Sequence, residues 1–394
     1  MRLSSLIFVG MILLLGSNFA LANRSVRLIT VGPGDAVWEK FGHNMIEIAS
    51  DPAYGEDVVF NWGLFDFNQP HFIGRFIQGK MLYTMAALRS EPTLEEYRAQ
   101  NRSILVQELD LTDQEIDRLI ALCEWNRLPE NRDYRYDYFR DNCSTRVRDA
   151  LDRATQGRVH QLLAGQPTPR SMTYRDHSIR LTQESFWLSI GIDFALGPSC
   201  DRVLDQWDEA FLPERLADFV KPMVRTSWSA SDSTRPPGSV SVPDRSWLML
   251  LIGVIWAGGI LGLERWGNKV LRRVGIGLTV AWWVLATIGG IFMLYVWVLT
   301  DHTAGYANQN LLHFSPLSLV ILLSWGMSRF GWSGRTSSFL VGMVGVTVFL
   351  SVLGLGLKVG GILSQANLHF ILLALPMNGV SGLTVLRSIG LLKA

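Results

Sequence analysis

Charge is what this chain of 394 residues has little of: Asp, Glu, Lys and Arg make up 18% of it, against ~25% in an average soluble protein. The shortage is local. Of 36 basic and 35 acidic residues, only 10 Lys/Arg and two acids, Glu264 and Asp301, fall from Arg245 onward, leaving 26 and 33 before it. The formal net charge of +1 is therefore about −7 followed by +8. A single soluble globule is excluded. Disorder is excluded too, because 14 Trp and 19 Phe are too many for a chain that buries nothing. No Lys/Arg-rich patch or nucleic-acid motif occurs, so nucleic acid is not an expected partner. No His/Cys/carboxylate cluster stands at ligand spacing and no glycine loop could cradle a phosphate, so neither a metal nor a nucleotide cofactor is expected.

What the chain does have is apolar runs. Residues 1–22 carry Arg2, an apolar stretch at 6–15 and Ala20-Leu21-Ala22, the layout of a cleaved secretory signal. The competing reading is an uncleaved anchor, for which the stretch is short. Either way the following segment is exported. Residues 23–226 have ordinary charge and form the expected exported domain. Residues 227–246, rich in Ser, Pro and Gly, read as a linker with little to bury. The transmembrane domain, 247–394, then holds about five apolar stretches: 247–263, 276–299, 317–327, 339–357 and 369–386. Most reach the ~17–25 residues that cross a bilayer. The third is short and needs residues 311–314 or 328–330 to complete it.

Topology gives an independent check. With the exported domain outside, the inner loops and C-terminus carry Arg265, Lys269, Arg272, Arg273, Arg329, Arg335, Arg387 and Lys393, whereas the outer loops carry Lys358 alone. This is the bias the positive-inside rule expects, with a cytoplasmic C-terminus.

The three cysteines are Cys123, Cys143 and Cys200. An odd count in an oxidising compartment suggests one pair and one free thiol, and a Cys123–Cys200 bridge is one possibility. Cys123 belongs to an amphipathic helix over 113–125, with Ile116, Leu119 and Ile120 on its face. Cys143 follows Asp141 and Asn142, either of which can cap a helix, and helical spacing of Val147, Ala150 and Leu151 follows. Cys143 thus falls in a first helical turn. There the helix dipole and unpaired N–H groups favour a thiolate and can hold an oxyanion. A buried structural cysteine is the plainer reading.

A thiolate nucleophile needs a base. His71 follows a proline in a turn, His160 lies in a polar helix and His177 follows Tyr174-Arg175-Asp176. His43 ranks first. It opens a strand over His43–Ala49, with Ile46 and Ile48 on one face and His43, Met45 and Glu47 on the other. A second strand at 57–62 follows a turn. Pairing the two as a hairpin sets His43 or Met45 opposite Asn61 or Gly63, and would bring the Asn61 amide to the imidazole.

A His on a first strand, an Asn on the next and a later Asn-Cys heading a helix resembles the circularly permuted branch of the papain-like, NlpC-type cysteine enzymes, which includes lecithin–retinol acyltransferases. More closely, Gly32-Pro33-Gly34, Phe41-Gly42-His43, Phe60-Asn61-Trp62-Gly63-Leu64-Phe65-Asp66-Phe67, Gly79-Lys80 with Tyr83, and Asp141-Asn142-Cys143-Ser144-Thr145 resemble the Lnb-type (DUF4105) family. Asp301-His302-Thr303 through Asn308, Gln309 and Asn310 resembles that family's outer loop between membrane spans, so nearly all of the mature chain is covered. The resemblance implies an α+β architecture, with a permuted papain-like exported domain followed by an all-α bundle of about five transmembrane helices. It implies Cys143 as nucleophile, His43 as base and Asn61 as the orienting group. Asn142, Asp66, Lys80 and Tyr83 match family positions without an assigned role. Asp301, His302, Asn308 and Asn310 are implied at the mouth of the site.

The implied activity is acyl transfer through a thioester. A membrane phospholipid would be the donor and the α-amine of a lipid-modified bacterial lipoprotein the acceptor, at the inner membrane with the N-terminal domain in the periplasm. No cofactor is implied. A second reading keeps the dyad but makes the protein a periplasmic hydrolase of lipid esters or cell-wall peptides. Against it, a wall hydrolase needs at most one anchor. A third reading, a membrane scaffold with a degenerate domain, is opposed by the intact His43 and Cys143.

Overall fold

The computed structural model describes residues 24–66, 68–329 and 334–392. The expected signal segment at 1–22 lies outside the described residues. The chain divides into two compact units. One comprises residues up to Pro70 together with Met81–Ser171 and Leu204–Gly238, and the other His71–Lys80, Met172–Val203 and Ser239–Ala394.

The first unit is built on one antiparallel sheet of seven strands. These are β1 (Ser25–Val31), β2 (His43–Ala49), β3 (Val58–Leu64), β4 (Leu82–Arg89), β5 (Ile104–Leu109), β6 (Asp133–Arg135) and β7 (Val224–Ser231), ordered β6-β4-β3-β2-β1-β5-β7. Among the helices, in chain order, are α1 (Phe72–Ile77), α2 (Ser90–Ala99), α3 (Asp113–Asn126), α4 (Cys143–Ala154), α5 (Tyr174–Thr182) and α6 (Phe186–Ala195). Five long ones follow: α7 (Ser246–Trp266), α8 (Lys269–Leu299), α9 (Leu317–Arg329), α10 (Gly334–Val359) and α11 (Leu368–Ser388).

Strand periodicity sorts the sheet's two faces. Ile46, Ile48, Phe60 and Trp62 pack with Ile116, Leu119 and Cys123 of α3 and with Val147, Ala150 and Leu151 of α4. Met45 and Val59 pack on the opposite face with Leu94 of α2. This division of β2 is the expected one. Helix α3 starts at Thr112, whose side chain accepts from Glu115 N in a capping box, and it presents the anticipated Ile116–Leu119–Cys123 face.

One open possibility is closed here and one boundary is revised. Cys123 is a free, buried thiol, so no Cys123–Cys200 bridge forms. The Cys200 sulfur instead lies 3.4 Å from Ala304 O. The linker expected at 227–246 begins as part of β7, which pairs with β5 along Leu109↔Val224 to Ile104↔Ser231. The side chains of β7 are mostly exposed, so backbone pairing, not burial, makes it a strand.

Among the described residues, five helices are long and apolar enough to cross a membrane, all in the second unit: Ser246–Trp266, Lys269–Leu299, Gln309–Ser328, Ser337–Val359 and Leu368–Ser388. The short third stretch is completed upstream, through the turn Gln309–Leu312. Residues His71–Lys80 and Met172–Val203, both inside the expected exported segment, group with these helices. Buried polar side chains pair within the bundle: Trp282 Nε1 donates to Asn378 Oδ1 at 2.8 Å, and Asn378 Nδ2 donates to His313 O at 2.9 Å. In an apolar medium such pairing is what makes buried polar groups tolerable.

Candidate active site

The site starts from the β2–β3 register. Ile46 faces Phe60 and Ile48 faces Val58. Continued along the strand, that register sets Met45 opposite Asn61 and His43 opposite Gly63. Across it, His43 Nε2 lies 2.7 Å from Asn61 Oδ1. An amide oxygen only accepts, so Nε2 carries the proton of this bond. Nδ1 is left for Cys143, to which the His43 ring is hydrogen-bonded.

Cys143 is the first residue of α4. Asn142 caps the helix: its Oδ1 accepts from Thr145 N at 2.9 Å, and Thr145 Oγ1 accepts from Asn142 N at 2.8 Å. The Asn142 amide also donates to Tyr138 O at 2.9 Å and to Phe211 O at 3.0 Å. All of its polar atoms thus hold the helix start in place. Asn142→Ala is expected to cost about 1–2 kcal/mol, as cap loss does elsewhere. Thermal unfolding of the detergent-solubilised full chain would measure it.

Gly63 makes the close approach possible. A Cβ there would stand 3.2 Å from His43 Cε1 and 3.4 Å from Cys143 Cβ, and its φ of +109° suits glycine. Beside the Cys143–His43 pair runs a second one. Ser144 Oγ donates to Asn44 Oδ1 at 2.8 Å, and Asn44 Nδ2 donates to Thr30 Oγ1 at 2.8 Å. Residues 43 and 44 of β2 therefore meet residues 143 and 144 of α4 in parallel.

The electrostatics favour an ion pair. Burial pushes the Cys143 thiol up, but the His43 charge, its hydrogen bond and the backbone N–H groups of Asn44 and Ser144 outweigh it, holding the thiol below its ordinary value. Burial likewise pushes His43 down, while the Cys143 sulfur and the bonds to it and to Asn61 more than offset this and raise it. Two further groups were not legible in the sequence. The Tyr97 ring lies 6.2 Å from the His43 ring and its hydroxyl is hydrogen-bonded to Asn61. Arg102, buried, stands 5.0 Å over the Tyr97 ring and donates to Gly32 O at 2.9 Å, which gives the Gly32-Pro33-Gly34 turn its anchor. Tyr83 belongs to an aromatic wall. It stacks on Tyr136 at 4.1 Å, touches Phe65 at 5.2 Å and pairs with Tyr134 across β4 and β6. Burial, then the nearby Cys143 sulfur, raises Tyr134 and Tyr136, so these phenols stay neutral.

The remaining sequence candidates lie elsewhere. Asp66 accepts from Asn68 N at 2.8 Å and shapes a turn. Lys80 N donates to Arg75 O at 2.8 Å and Lys80 O accepts from Arg75 Nε at 3.2 Å, at the end of α1. Asp301 N donates to Gln78 O at 2.8 Å, and His302 Nε2 lies 3.0 Å from Phe76 O. The Gly79-Lys80 and Asp301-His302 motifs thus meet, and Gly79 is needed there, since a Cβ would stand 2.8 Å from His302 N. Asn308 and Asn310 are buried. Asn308 Nδ2 donates to Phe194 O, Ala195 O and Leu196 O at 2.8, 3.2 and 3.3 Å, while Asn310 Oδ1 accepts from Asn367 Nδ2 at 2.9 Å. Both tie the outer loop to its surroundings.

Two family models match the chain: the Lnb N-terminal periplasmic domain over residues 17–179 and the Lnb transmembrane domain over residues 243–386. Searches of curated proteins and of solved structures find no match.

Proposed function

The chain belongs to the Lnb family, as a multi-pass membrane protein with a periplasmic N-terminal domain, and from that premise we propose that it is a thiol acyltransferase of the bacterial inner membrane. Its periplasmic domain is read as permuted papain-like. The donor is a membrane phospholipid and the acceptor the α-amine of a lipid-modified lipoprotein N-terminus. The observation that carries this reading is the half-buried Cys143–His43 pair backed by the buried Asn61, with His43 Nε2 engaged by Asn61 at 2.7 Å and the ring hydrogen-bonded to the sulfur.

The chemistry follows from the geometry. His43 Nδ1 holds the Cys143 proton. The thiolate attacks the ester carbonyl carbon, forming a C–S bond and pushing the carbonyl electrons onto oxygen. The N–H groups at the start of α4 face that negative charge. The intermediate collapses, the ester C–O bond breaks, and the lysolipid oxygen takes its proton from Nδ1. The acceptor amine then attacks the thioester. His43 takes the amine's proton as the C–S bond breaks, leaving an amide and the original ion pair. Asn61 keeps the ring oriented through both half-reactions, and the neutral tyrosines around the sulfur offer an apolar wall that keeps water from the thioester.

The test is to incubate the purified full-length protein with acyl-labelled phospholipid and a diacylated lipopeptide. Label is expected on the peptide amine, with a Cys143 thioester detectable by mass spectrometry. Label found only as free fatty acid would convert the assignment to a hydrolase.

A further inference from the structure

Helix α6 is folded inside out. Its charged or hydroxyl-bearing side chains are Ser189 and Asp193, and these are the buried ones, at 0% and 2% exposure. Ser189 Oγ accepts from Arg245 at 3.0 Å, Asp193 pairs with Arg175 at 2.8 Å, and Asp193 Oδ2 lies 2.9 Å from His369 Nε2. Phe186 and Trp187 face outward, Trp187 at 81%. A helix packed in water turns its apolar stripe inward. Leaving a large apolar side chain in water forgoes about 1.5–3 kcal/mol. In hydrocarbon the same arrangement is the favourable one, because every polar group must then find its partner inside the protein.

The packing of α6 supplies a second, independent observation. The Phe194 ring lies 5.0 Å from the Phe314 ring and 5.2 Å from the Phe370 ring. Phe194 Cζ is 3.0 Å from where a Cβ on Gly289 would stand. Gly289 lies ten residues before Leu299, the end of α8 remote from Arg272 and Arg273, which is about 15 Å along the helix axis. Ile190 and Phe194 extend the same apolar core that the spans form. Neighbouring outward faces of the spans are apolar in the same way, such as Ile288 at 61%.

We infer that α6 is a sixth membrane-embedded element, whose partner is the acyl-chain layer of the leaflet on the side of the N-terminal domain. With ten residues it is too short to cross, so it enters and leaves on one side, held down by the Arg175–Asp193 and Arg245–Ser189 pairs. Residues 180–242, which contain it, fall between the two family matches. This assignment is independent of the acyl-transfer chemistry and would stand if Cys143 proved inert.

The experiment places the photo-cross-linker p-benzoylphenylalanine at position 187 or 191 of the full-length protein in phosphatidylethanolamine/phosphatidylglycerol vesicles. Gly191 has open space around its Cβ direction, so the probe fits there without disturbing the fold. Irradiation followed by intact-protein mass spectrometry is expected to give phospholipid adducts at both positions, with yields like those from a probe at Ile288. Yields should exceed several-fold those from a probe at Trp125, an exposed residue of the sheet unit. Absence of lipid adducts at 187 and 191 with a normal yield at 288, or cross-links to protein instead, would overturn the assignment.

Discussion

Cys143→Ser is expected to reduce acyl transfer by about 10⁴-fold or more, the scale on which removal of a covalent nucleophile is felt, and to abolish the acyl-protein adduct. The fold should survive, because α4 is fixed by the Asn142 cap and by Ser144, not by the sulfur. pH dependence follows from the same pair. Burial opposes the Cys143 thiolate, yet His43 and the N–H groups of Asn44 and Ser144 overcome it and set the thiol below its usual range. His43, pressed down by burial, is raised by the sulfur and by Asn61. The active ion pair is therefore lost as pH falls through the lowered thiol value, by protonation of sulfur. It is lost again as pH rises through the raised imidazole value, by deprotonation of the ring. Activity should plateau between the two. His43→Ala should move thiolate formation, followed by ultraviolet absorbance against a Cys143→Ser blank, toward higher pH. A thiolate that titrates identically with and without His43 would remove the ion pair from the mechanism.

Much of this pair was readable because it depends on local periodicity. A strand repeats every two residues, so once β2 and β3 are joined by a short turn, the position of Asn61 near His43 follows from spacing. A helix start is readable from its cap, and Asn142 fulfils that role. Tyr97 and Arg102 were not readable, because they reach His43 and Asn61 from α2 and the turn after it through tertiary packing. Strand β7 was hidden for a different reason. Its Ser/Trp/Ala sequence buries almost nothing and pairs at the sheet edge through its backbone, leaving no hydrophobic pattern. Asn308 and Asn310 were legible as polar residues in an outer loop, but their neighbours Phe194, Leu196, Gln365 and Asn367 come from distant sequence. Composition alone placed residues 172–203 in the exported domain, since their charge is ordinary. Their grouping with the helices rests on tertiary partners, His369 beside Asp193, Arg245 on Ser189 and Asn308 on the carbonyls of Phe194 and Leu196.

Inside that segment, Arg175→Met is the most damaging substitution expected away from the active site, because one guanidinium holds its chain together. The guanidinium is 1% exposed and holds Asp201 through Nε at 2.7 Å, Asp193 through Nη1 at 2.8 Å, and Leu196 O and Gly197 O through Nη2 at 2.9 and 3.1 Å. Methionine restores the volume but none of these bonds. Asp193 keeps His369 at 2.9 Å. Asp201 and the two carbonyls at the end of α6 lose a shared donor in a site closed to water. Removing one member of a buried ion pair typically costs about 3–5 kcal/mol, because the remaining charge stays desolvated. A loss of that size should lower the thermal midpoint of the solubilised full chain clearly. Adding Asp201→Asn to Arg175→Met should recover part of the loss, since it removes the stranded charge, whereas Asp201→Asn alone should destabilise. A double-mutant cycle therefore separates charge pairing from simple packing. Strictly additive effects would mean that Arg175 contributes volume alone, and that the polar side of α6 is held by something other than this pair.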